Sequence, residues 1–140
     1  SCLVGSEMCI RDSIRPVSLD ELAHTSDFIT IHVPLTENTT GLFSKKHCAL
    51  VKPGAILINT SRGAIVDEQG LLTALESNQM GAAGLDVLAD EPDIQNSPLY
   101  RYARAHDNLI ITPHCGGFSH DAVKVVCRRA AEKIVEHLDL

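Results

Sequence analysis

The chain contains four short apolar runs. Each run is separated from the next run by a more polar stretch with a helical pattern. Runs of this length that are rich in Ile, Val, Leu and Ala favour strands. The predicted strands span residues 28–33, 55–59, 82–87 and 109–112, and the predicted helices span residues 19–24, 44–50, 67–76 and 120–137. Because strands alternate with helices, we predict an α/β fold with a doubly wound parallel sheet.

Caps and turns refine this pattern. Ser18 and Asp67 are predicted helix N-caps, and Gly81 is expected to end the third helix in a left-handed conformation. Residues 90–107 are predicted to form a long polar connection with one helical turn. No G-x-G-x-x-G occurs in the 140 residues, and the Gly81-x-x-Gly84 spacing follows a helix instead of a strand. We therefore expect a partial sheet that lacks its first strands and a glycine-rich phosphate loop.

Length and composition fit one globular domain. The 140 residues are 44% hydrophobic and 21% charged, with a formal net charge of −6. This charge disfavours nucleic acid and anionic membrane surfaces as partners, and no apolar run approaches the roughly 18 residues that span a bilayer. Five cysteines without a C-x-x-C pair favour a reducing, cytoplasmic setting. No metal site is expected, since His114, Cys115 and His120 lack a recognised ligand spacing.

The first thirteen residues carry no periodic pattern. A disordered tail is the simpler interpretation, and a foreign segment joined to the chain is the sharper one. We assign residues 1–13 to a separate, non-family segment and residues 14–140 to the partial domain.

Three ionisable residues that follow predicted strands are the candidate catalytic residues. Arg62, Glu91 and His114 come just after the second, third and fourth strands. Because the C-terminal ends of parallel strands share one edge, these side chains are expected to converge there. Together they suit acid–base catalysis, although each alone is also compatible with a structural role. A Cys115–His114 nucleophilic dyad is disfavoured, because neighbouring residues on an extended chain point to opposite sides.

Five motifs occur in an order and spacing that resemble one enzyme family. They are His32-Val-Pro-Leu-Thr36, Ile58-Asn-Thr-Ser-Arg-Gly63, Val66-Asp-Glu68, Gly84-Leu-Asp-Val87 with Asp90-Glu-Pro92, and Ile111-Thr-Pro-His-Cys-Gly-Gly117. From about residue 13 to residue 140, the chain resembles the C-terminal two-thirds of the NAD-binding domain of D-isomer-specific 2-hydroxyacid dehydrogenases, which include phosphoglycerate dehydrogenase and hydroxypyruvate reductase. The resemblance implies a partial Rossmann-like domain.

The resemblance also assigns a role to each candidate catalytic residue. His114 would be the general acid that protonates the 2-keto oxygen of the substrate, or the base in the reverse direction. Glu91 would hydrogen-bond the other ring nitrogen and fix the tautomer of the imidazole. Arg62 would bind the substrate carboxylate and polarise its carbonyl, a task that suits a planar bidentate donor.

The implied cofactor is NAD, with NADP not excluded. The residues expected beside the nicotinamide are Thr60, Ser61, Arg62, His114, Gly116 and Gly117, and those expected beside the adenosine half are His32, Val33, Pro34 and Thr39. Asp86 would bind the nicotinamide carboxamide, unless backbone amides at the strand end already satisfy it. Gly116 and Gly117 are equally compatible with a plain turn.

The implied function is that of an oxidoreductase. The parent protein is expected to transfer hydride between nicotinamide and a small D-2-hydroxy acid or 2-keto acid, and to be a homodimer. The isolated 140 residues are expected to be inactive, because they contain no glycine-rich loop for the pyrophosphate. The alternative is a dinucleotide-sensing, corepressor-like binding protein without turnover.

Overall fold

In the part of the chain that the structure describes, the sheet contains four parallel strands in chain order. The computed structural model describes residues 15–137, so the segment assigned to residues 1–13 lies outside the described residues. The strands β1 (Phe28–Ile31), β2 (Ala55–Asn59), β3 (Met80–Leu85) and β4 (Leu109–Ile111) pair in the order β1-β2-β3-β4. This arrangement confirms the predicted α/β class and places the C-terminal ends of the strands along one edge.

Between residues 15 and 137, five α-helices precede, connect or follow the strands. They are α1 (Leu19–Thr25), α2 (Lys45–Leu50), α3 (Glu68–Glu76), α4 (Pro98–Ala103) and α5 (His120–His137), with short 3-10 helices at Gly63–Ile65 and Ile94–Asn96. Both predicted N-caps are confirmed. Ser18 Oγ accepts a hydrogen bond from Glu21 N–H at 3.2 Å, and Asp67 Oδ1 accepts one from Gly70 N–H at 2.8 Å. The cap at Asp67 starts α3 directly beyond the turn that follows β2.

The hydrophobic core lies between the sheet and the row of helices α1 to α4. Helix α2 packs against both α1 and α3, and α3 packs against α4. The fully buried side chains include Leu57 on β2, Leu71 on α3 and Leu99 on α4. Burial of each such leucine contributes about 1.5–3 kcal/mol, so this layer provides the rigid support for the C-terminal edge of the sheet.

Apolar side chains are also exposed outside this core. Phe28 of β1 and Ile110 of β4 are 70% and 67% exposed, whereas their chain neighbours Ile29 and Leu109 are buried. Helix α5 also exposes apolar residues, among them Val126. These strands therefore carry apolar residues on both faces, but within the described residues only one of the two faces is buried. No helix within residues 15–137 is both long and apolar enough to cross a bilayer.

The predicted boundaries of β1, β3 and β4 differ from the structure, and β4 ends at Ile111 instead of residue 112. β1 ends at Ile31 instead of residue 33, because its partner β2 ends at Asn59, directly opposite Ile31. β3 starts at Met80 and ends at Leu85, two residues earlier than predicted at each end. The connection predicted at residues 90–107 contains the second 3-10 helix as well as the predicted helical turn, which is α4.

The prediction for Gly81 is wrong. Gly81 lies inside β3, and the residue with a left-handed backbone after α3 is Asn78, at φ 57°. Asparagine tolerates this conformation, so no glycine is needed there. A Cβ atom on Gly81 would lie 2.5 Å from the carbonyl oxygen of Gly54. Glycine at this position therefore permits the close approach of two backbones.

Candidate active site

The turn after β2 presents Arg62 at the edge of the sheet. Asn59 is 1% exposed, and its side chain accepts a hydrogen bond from Ser61 N–H and donates one to Arg62 O, both at 3.0 Å. Ser61 Oγ donates to Ile31 O at 2.8 Å, which ties this turn to the end of β1. The guanidinium group of Arg62 is exposed and donates to Ser61 O at 2.6 Å. A buried amide therefore fixes the backbone from which Arg62 projects.

The turn after β3 brings Glu91 against His114. Glu91 Oε1 accepts a hydrogen bond from Leu88 N–H at 2.7 Å, and Glu91 Oε2 lies 2.6 Å from Nδ1 of His114. The two side chains are 29% and 43% exposed, respectively. Within residues 15–137, no hydrogen bond or ion pair joins Arg62 to either of them. The structure therefore brings two of the three candidate catalytic residues into direct contact and places the third on the neighbouring turn.

His114 lies in a tight turn after β4. Its backbone is left-handed, at φ 52°, and its N–H donates to Thr112 O at 2.9 Å. The Glu91 carboxylate accepts a hydrogen bond from Nδ1–H of His114, so Nε2 is the ring nitrogen that remains for a bound molecule. Non-glycine residues with such a backbone are uncommon and cluster at functional sites.

Asp86 holds the turn that carries His114. This carboxylate follows β3 and is 6% exposed. Oδ1 accepts hydrogen bonds from the Thr112 hydroxyl and from Cys115 N–H at 3.0 Å, and Oδ2 accepts one from Gly116 N–H at 2.8 Å. Burial works to raise the pKa of Asp86, but these hydrogen bonds, the Thr112 hydroxyl first, hold the pKa below its usual range. Oδ2 retains a lone pair for a further donor, such as a carboxamide.

Substitution of Asp86 by asparagine tests this role in the stability of the turn. Whichever way the amide is oriented, its NH₂ group faces at least one backbone N–H of the turn, so a hydrogen bond is lost. We expect the free energy of unfolding to fall by about 1–3 kcal/mol. Chemical denaturation measures it, and Asp107→Asn, at an exposed carboxylate, is the matched control, with an expected change within about 0.5 kcal/mol. Equal stability of the two variants would contradict the assignment.

The same carboxylate makes stability depend on acid pH. A group with a lowered pKa in the folded state contributes stability above its unfolded pKa, roughly 3.9 for aspartate, and loses it as the pH falls through the folded value. We therefore expect the stability difference between the wild type and Asp86→Asn to shrink below about pH 4. Denaturation curves at several pH values check this, and a difference that stays constant down to pH ~2 would exclude the linkage.

A shallow cleft of about 470 Å³ lies beside Arg62. It is lined by His32, Val33, Pro34, Leu35, Ser61 and Arg62. Its volume is within the roughly 300–1,000 Å³ of small-molecule sites. Thr39 braces one wall, since its hydroxyl donates to Pro34 O at 2.6 Å and accepts from Thr36 N–H at 2.7 Å. All four predicted adenosine-side residues therefore line or support one concave surface.

The remaining predicted cofactor residues lie on the two turns. Thr60 is exposed beside Ser61, and Gly117 has no atom within 4 Å of the position that a Cβ would occupy. A Cβ on Gly116 would lie 2.9 Å from Oδ2 of Asp86, so glycine there allows the hydrogen bond to the carboxylate. The sequence contains no G-x-G-x-x-G turn for the pyrophosphate of a dinucleotide.

Gly63 connects the Arg62 turn with the Glu91 turn, and the sequence pattern did not single it out. A Cβ on Gly63 would lie 2.1 Å from the carbonyl carbon of Leu88 and 2.2 Å from the amide nitrogen of Ala89. The two backbones are therefore in direct contact. Because this contact joins residues that are distant in sequence, no local periodicity signals it.

The geometry of Cys115 does not form a dyad with His114. Its Sγ lies 3.7 Å from Oδ1 of Asp86, whereas the His114 ring is bonded to Glu91. Among the described residues, no group of three or more His, Cys, Asp or Glu side chains is arranged to hold a metal ion.

A parallel α/β sheet with an imidazole–carboxylate pair and an arginine along one edge is the arrangement expected of a nucleotide-binding domain of the dehydrogenase type. The chain belongs to the family described as D-isomer specific 2-hydroxyacid dehydrogenase, NAD binding domain, whose model matches residues 5–116. This finding confirms the family that the sequence motifs indicated.

Individual relatives agree with this membership. Glyoxylate reductase of Thermococcus litoralis is 40% identical over 119 residues, which are 85% of this chain and 34% of the relative. The structure of D-lactate dehydrogenase with NAD+ from Lactobacillus jensenii has a TM-score of 0.70 at 37% identity, covering 77% of this chain and 35% of that one. The structure of a D-isomer specific 2-hydroxyacid dehydrogenase from Xanthobacter autotrophicus, in complex with NADPH and MES, has a TM-score of 0.62 at 38% identity, covering 69% and 29%. The chain spans about a third of the length of the curated relatives it matches.

Proposed function

We propose that the protein containing this chain is an NAD(P)-dependent oxidoreductase that interconverts a small D-2-hydroxy acid and the corresponding 2-keto acid. The observation that carries the proposal is the pair of His114 and Glu91, 2.6 Å apart at the sheet edge that also presents Arg62. An imidazole oriented by a carboxylate is suited to proton transfer near neutral pH. Relatives with bound NAD+ and NADPH support a nicotinamide cofactor and leave both dinucleotides as candidates.

Each candidate side chain has a distinct task in the proposed reaction. Nε2 of His114 donates a proton to the 2-keto oxygen, while Nδ1–H stays hydrogen-bonded to Glu91, which keeps the ring oriented. Arg62 binds the substrate carboxylate through parallel N–H groups. Bound NADH supplies the hydride that reduces the carbonyl carbon. The neutral His114 then regains a proton from solvent, and the reverse reaction uses it as the base.

The cofactor contacts are proposed along the two turns and the cleft. Ser61 and Arg62 line the cleft next to Thr60, and the exposed backbone of Gly117 approaches the nicotinamide side. We propose that Oδ2 of Asp86 accepts a hydrogen bond from the NH₂ group of the nicotinamide carboxamide in addition to the one from Gly116 N–H. Because the 140 residues contain no glycine-rich loop for the pyrophosphate, we expect the chain alone to bind NADH weakly or not at all and to turn over no keto acid.

Turnover by the full-length protein tests the proposed function. Purified protein is incubated with NADH and a panel of glyoxylate, pyruvate and hydroxypyruvate, and loss of NADH absorbance is followed. We expect reduction of at least one of these acids. Binding of NADH without turnover on the panel would overturn the proposal in favour of a sensing protein. The same assay with NADPH decides the choice of cofactor.

The setting and assembly of the protein are further parts of the proposal. Within residues 15–137 the cysteines Cys48, Cys115 and Cys127 are all free, which suits a reducing, cytoplasmic environment. We propose a homodimer for the full-length protein, as the family resemblance implies, and sedimentation of that protein measures it.

A further inference from the structure

Glu68 connects helix α3 to the loop that carries Glu91. It is the first residue of α3, and its Oε1 accepts a hydrogen bond from Ala89 N–H at 2.6 Å. The two residues are 21 positions apart in the chain. Helix α3 is anchored in the core through Leu71 and Leu75, so the carboxylate projects from a rigid element. The bond therefore fixes a surface loop to the core of the domain.

The peptide group between Leu88 and Ala89 is held from two directions. Its N–H is bonded to Glu68, and its carbonyl carbon and nitrogen lie against Gly63, where a Cβ would approach to 2.1 and 2.2 Å. Gly63 follows Arg62, and Leu88 N–H donates to the same Glu91 carboxylate that contacts His114. This one peptide is therefore the point where the Arg62 turn meets the Glu91 turn.

The surroundings of Glu68 make it an unfavourable place for a charge. Its side chain is half-buried, and burial raises the pKa of Glu68, while the hydrogen bond from Ala89 lowers it and the charges of Asp90 and Glu91 raise it further. Three carboxylates therefore lie near one loop, and two of them accept consecutive backbone N–H groups, those of Leu88 and Ala89. Burial and the neighbouring negative charges both oppose an ionised carboxylate at this position, which indicates that Glu68 has a specific task.

We propose that Glu68 is a positioning residue, which acts through the Leu88–Ala89 peptide to hold Glu91, and hence the His114 ring, at a fixed distance from Arg62. Its effect on turnover rests on the proposed function, whereas its effect on the geometry of the loop does not. Placement within about 1 Å is worth up to roughly a hundredfold in rate, so a single hydrogen bond to this peptide is sufficient to matter.

Two substitutions separate this role from a simple effect on the helix. Glu68→Gln keeps an oxygen that accepts from Ala89 N–H but removes the charge, and Glu68→Ala removes both. If the Glu68 carboxylate served only the N-terminus of α3, the two variants would show equal effects, because both abolish the interaction of the charge with the helix dipole. If Glu68 instead positions the loop, Glu68→Gln would behave like the wild type, because its amide oxygen still accepts the hydrogen bond from Ala89 N–H. Glu76→Ala, at the exposed end of the same helix, is the control.

The first readout is the NMR spectrum of the 140-residue chain and needs no activity. We expect the Ala89 amide proton to shift with pH as Glu68 titrates, and this shift to disappear in Glu68→Gln. The hydrogen-bonded Nδ1 proton of His114 is expected to persist in Glu68→Gln and Glu76→Ala and to be lost in Glu68→Ala. The inference would be overturned if the chemical shift of the Ala89 amide proton did not respond to Glu68, or if the Nδ1 proton of His114 persisted in all variants. Either result would leave the proposed function intact.

The second readout is turnover by the full-length protein. Glu68→Ala is expected to lower kcat by about tenfold to a hundredfold with little change in the KM for NADH, whereas Glu68→Gln stays within about threefold of the wild type. Unchanged kcat in Glu68→Ala would refute the proposed role. If the wild type itself turns over no keto acid, the proposed function fails, and the NMR result still decides whether Glu68 holds the loop.

Discussion

Substitution of His114 by asparagine is expected to lower the kcat/KM of the full-length protein for its keto acid by about 10²–10⁴-fold, the usual contribution of a positioned general acid. The asparagine amide still reaches Glu91, whose Oε2 lies 2.6 Å from Nδ1 in the wild type, but it has no proton to transfer where Nε2 stands. Asparagine also tolerates the left-handed backbone of this residue, at φ 52°. The loss would therefore report chemistry and not strain. Steady-state kinetics with saturating NADH measure it.

The control for this substitution is His24→Asn. His24 is an exposed histidine in the last turn of α1, away from the strand ends that carry the site. We expect its kcat/KM to match that of the wild type. Activity of His114→Asn at the level of this control would remove His114 from the proposed mechanism. The NADH affinity of both variants, measured by fluorescence titration, shows whether any loss arises in binding or in turnover.

The parallel sheet was predictable because its signal is local. Each strand is a short run of apolar residues, and β2 (Ala55–Asn59) has the predicted bounds. The ends of β1, β3 and β4 were misplaced, since register with the neighbouring strand decides them and no single segment encodes that register. Gly81 shows the same limit. This glycine permits close contact with the backbone of Gly54, which is distant in sequence. From sequence alone, it resembles a glycine that terminates a helix.

The candidate site was predictable only for residues that follow the C-terminal ends of parallel strands. Glu91 and His114 were expected to converge because both follow parallel strands, and their contact follows from that topology. Asn59 and Glu68 carried no such signal, although both stand inside the quoted motifs. Their importance lies in burial and in bonds to backbone groups of other turns. The side chains proposed to contact a ligand were thus easier to predict than the side chains that hold them in place.

Substitution of Gly63 by alanine is expected to produce the largest loss of stability proposed for this domain. The added Cβ would meet the carbonyl carbon of Leu88 at 2.1 Å, the nitrogen of Ala89 at 2.2 Å and the oxygen of Leu88 at 2.5 Å. These are backbone atoms that cannot rotate away, and both turns are held by further hydrogen bonds. We expect the free energy of unfolding to fall by about 3 kcal/mol or more, at the upper end for overpacking. Urea denaturation measures it.

Gly117→Ala is the matched control, because nothing lies within 4 Å of the position that its methyl group would occupy. Its stability is expected to stay within about 0.5 kcal/mol of the wild type, while a weaker affinity for NADH would follow if the cofactor approaches this backbone. Equal stability of the two alanine variants would mean that the Arg62 and Glu91 turns separate freely. In that event Glu68 would have no fixed contact to maintain. Loss of stability in Gly63→Ala alone would show that the two turns form one unit, so that Arg62 and His114 keep their spacing before any substrate binds.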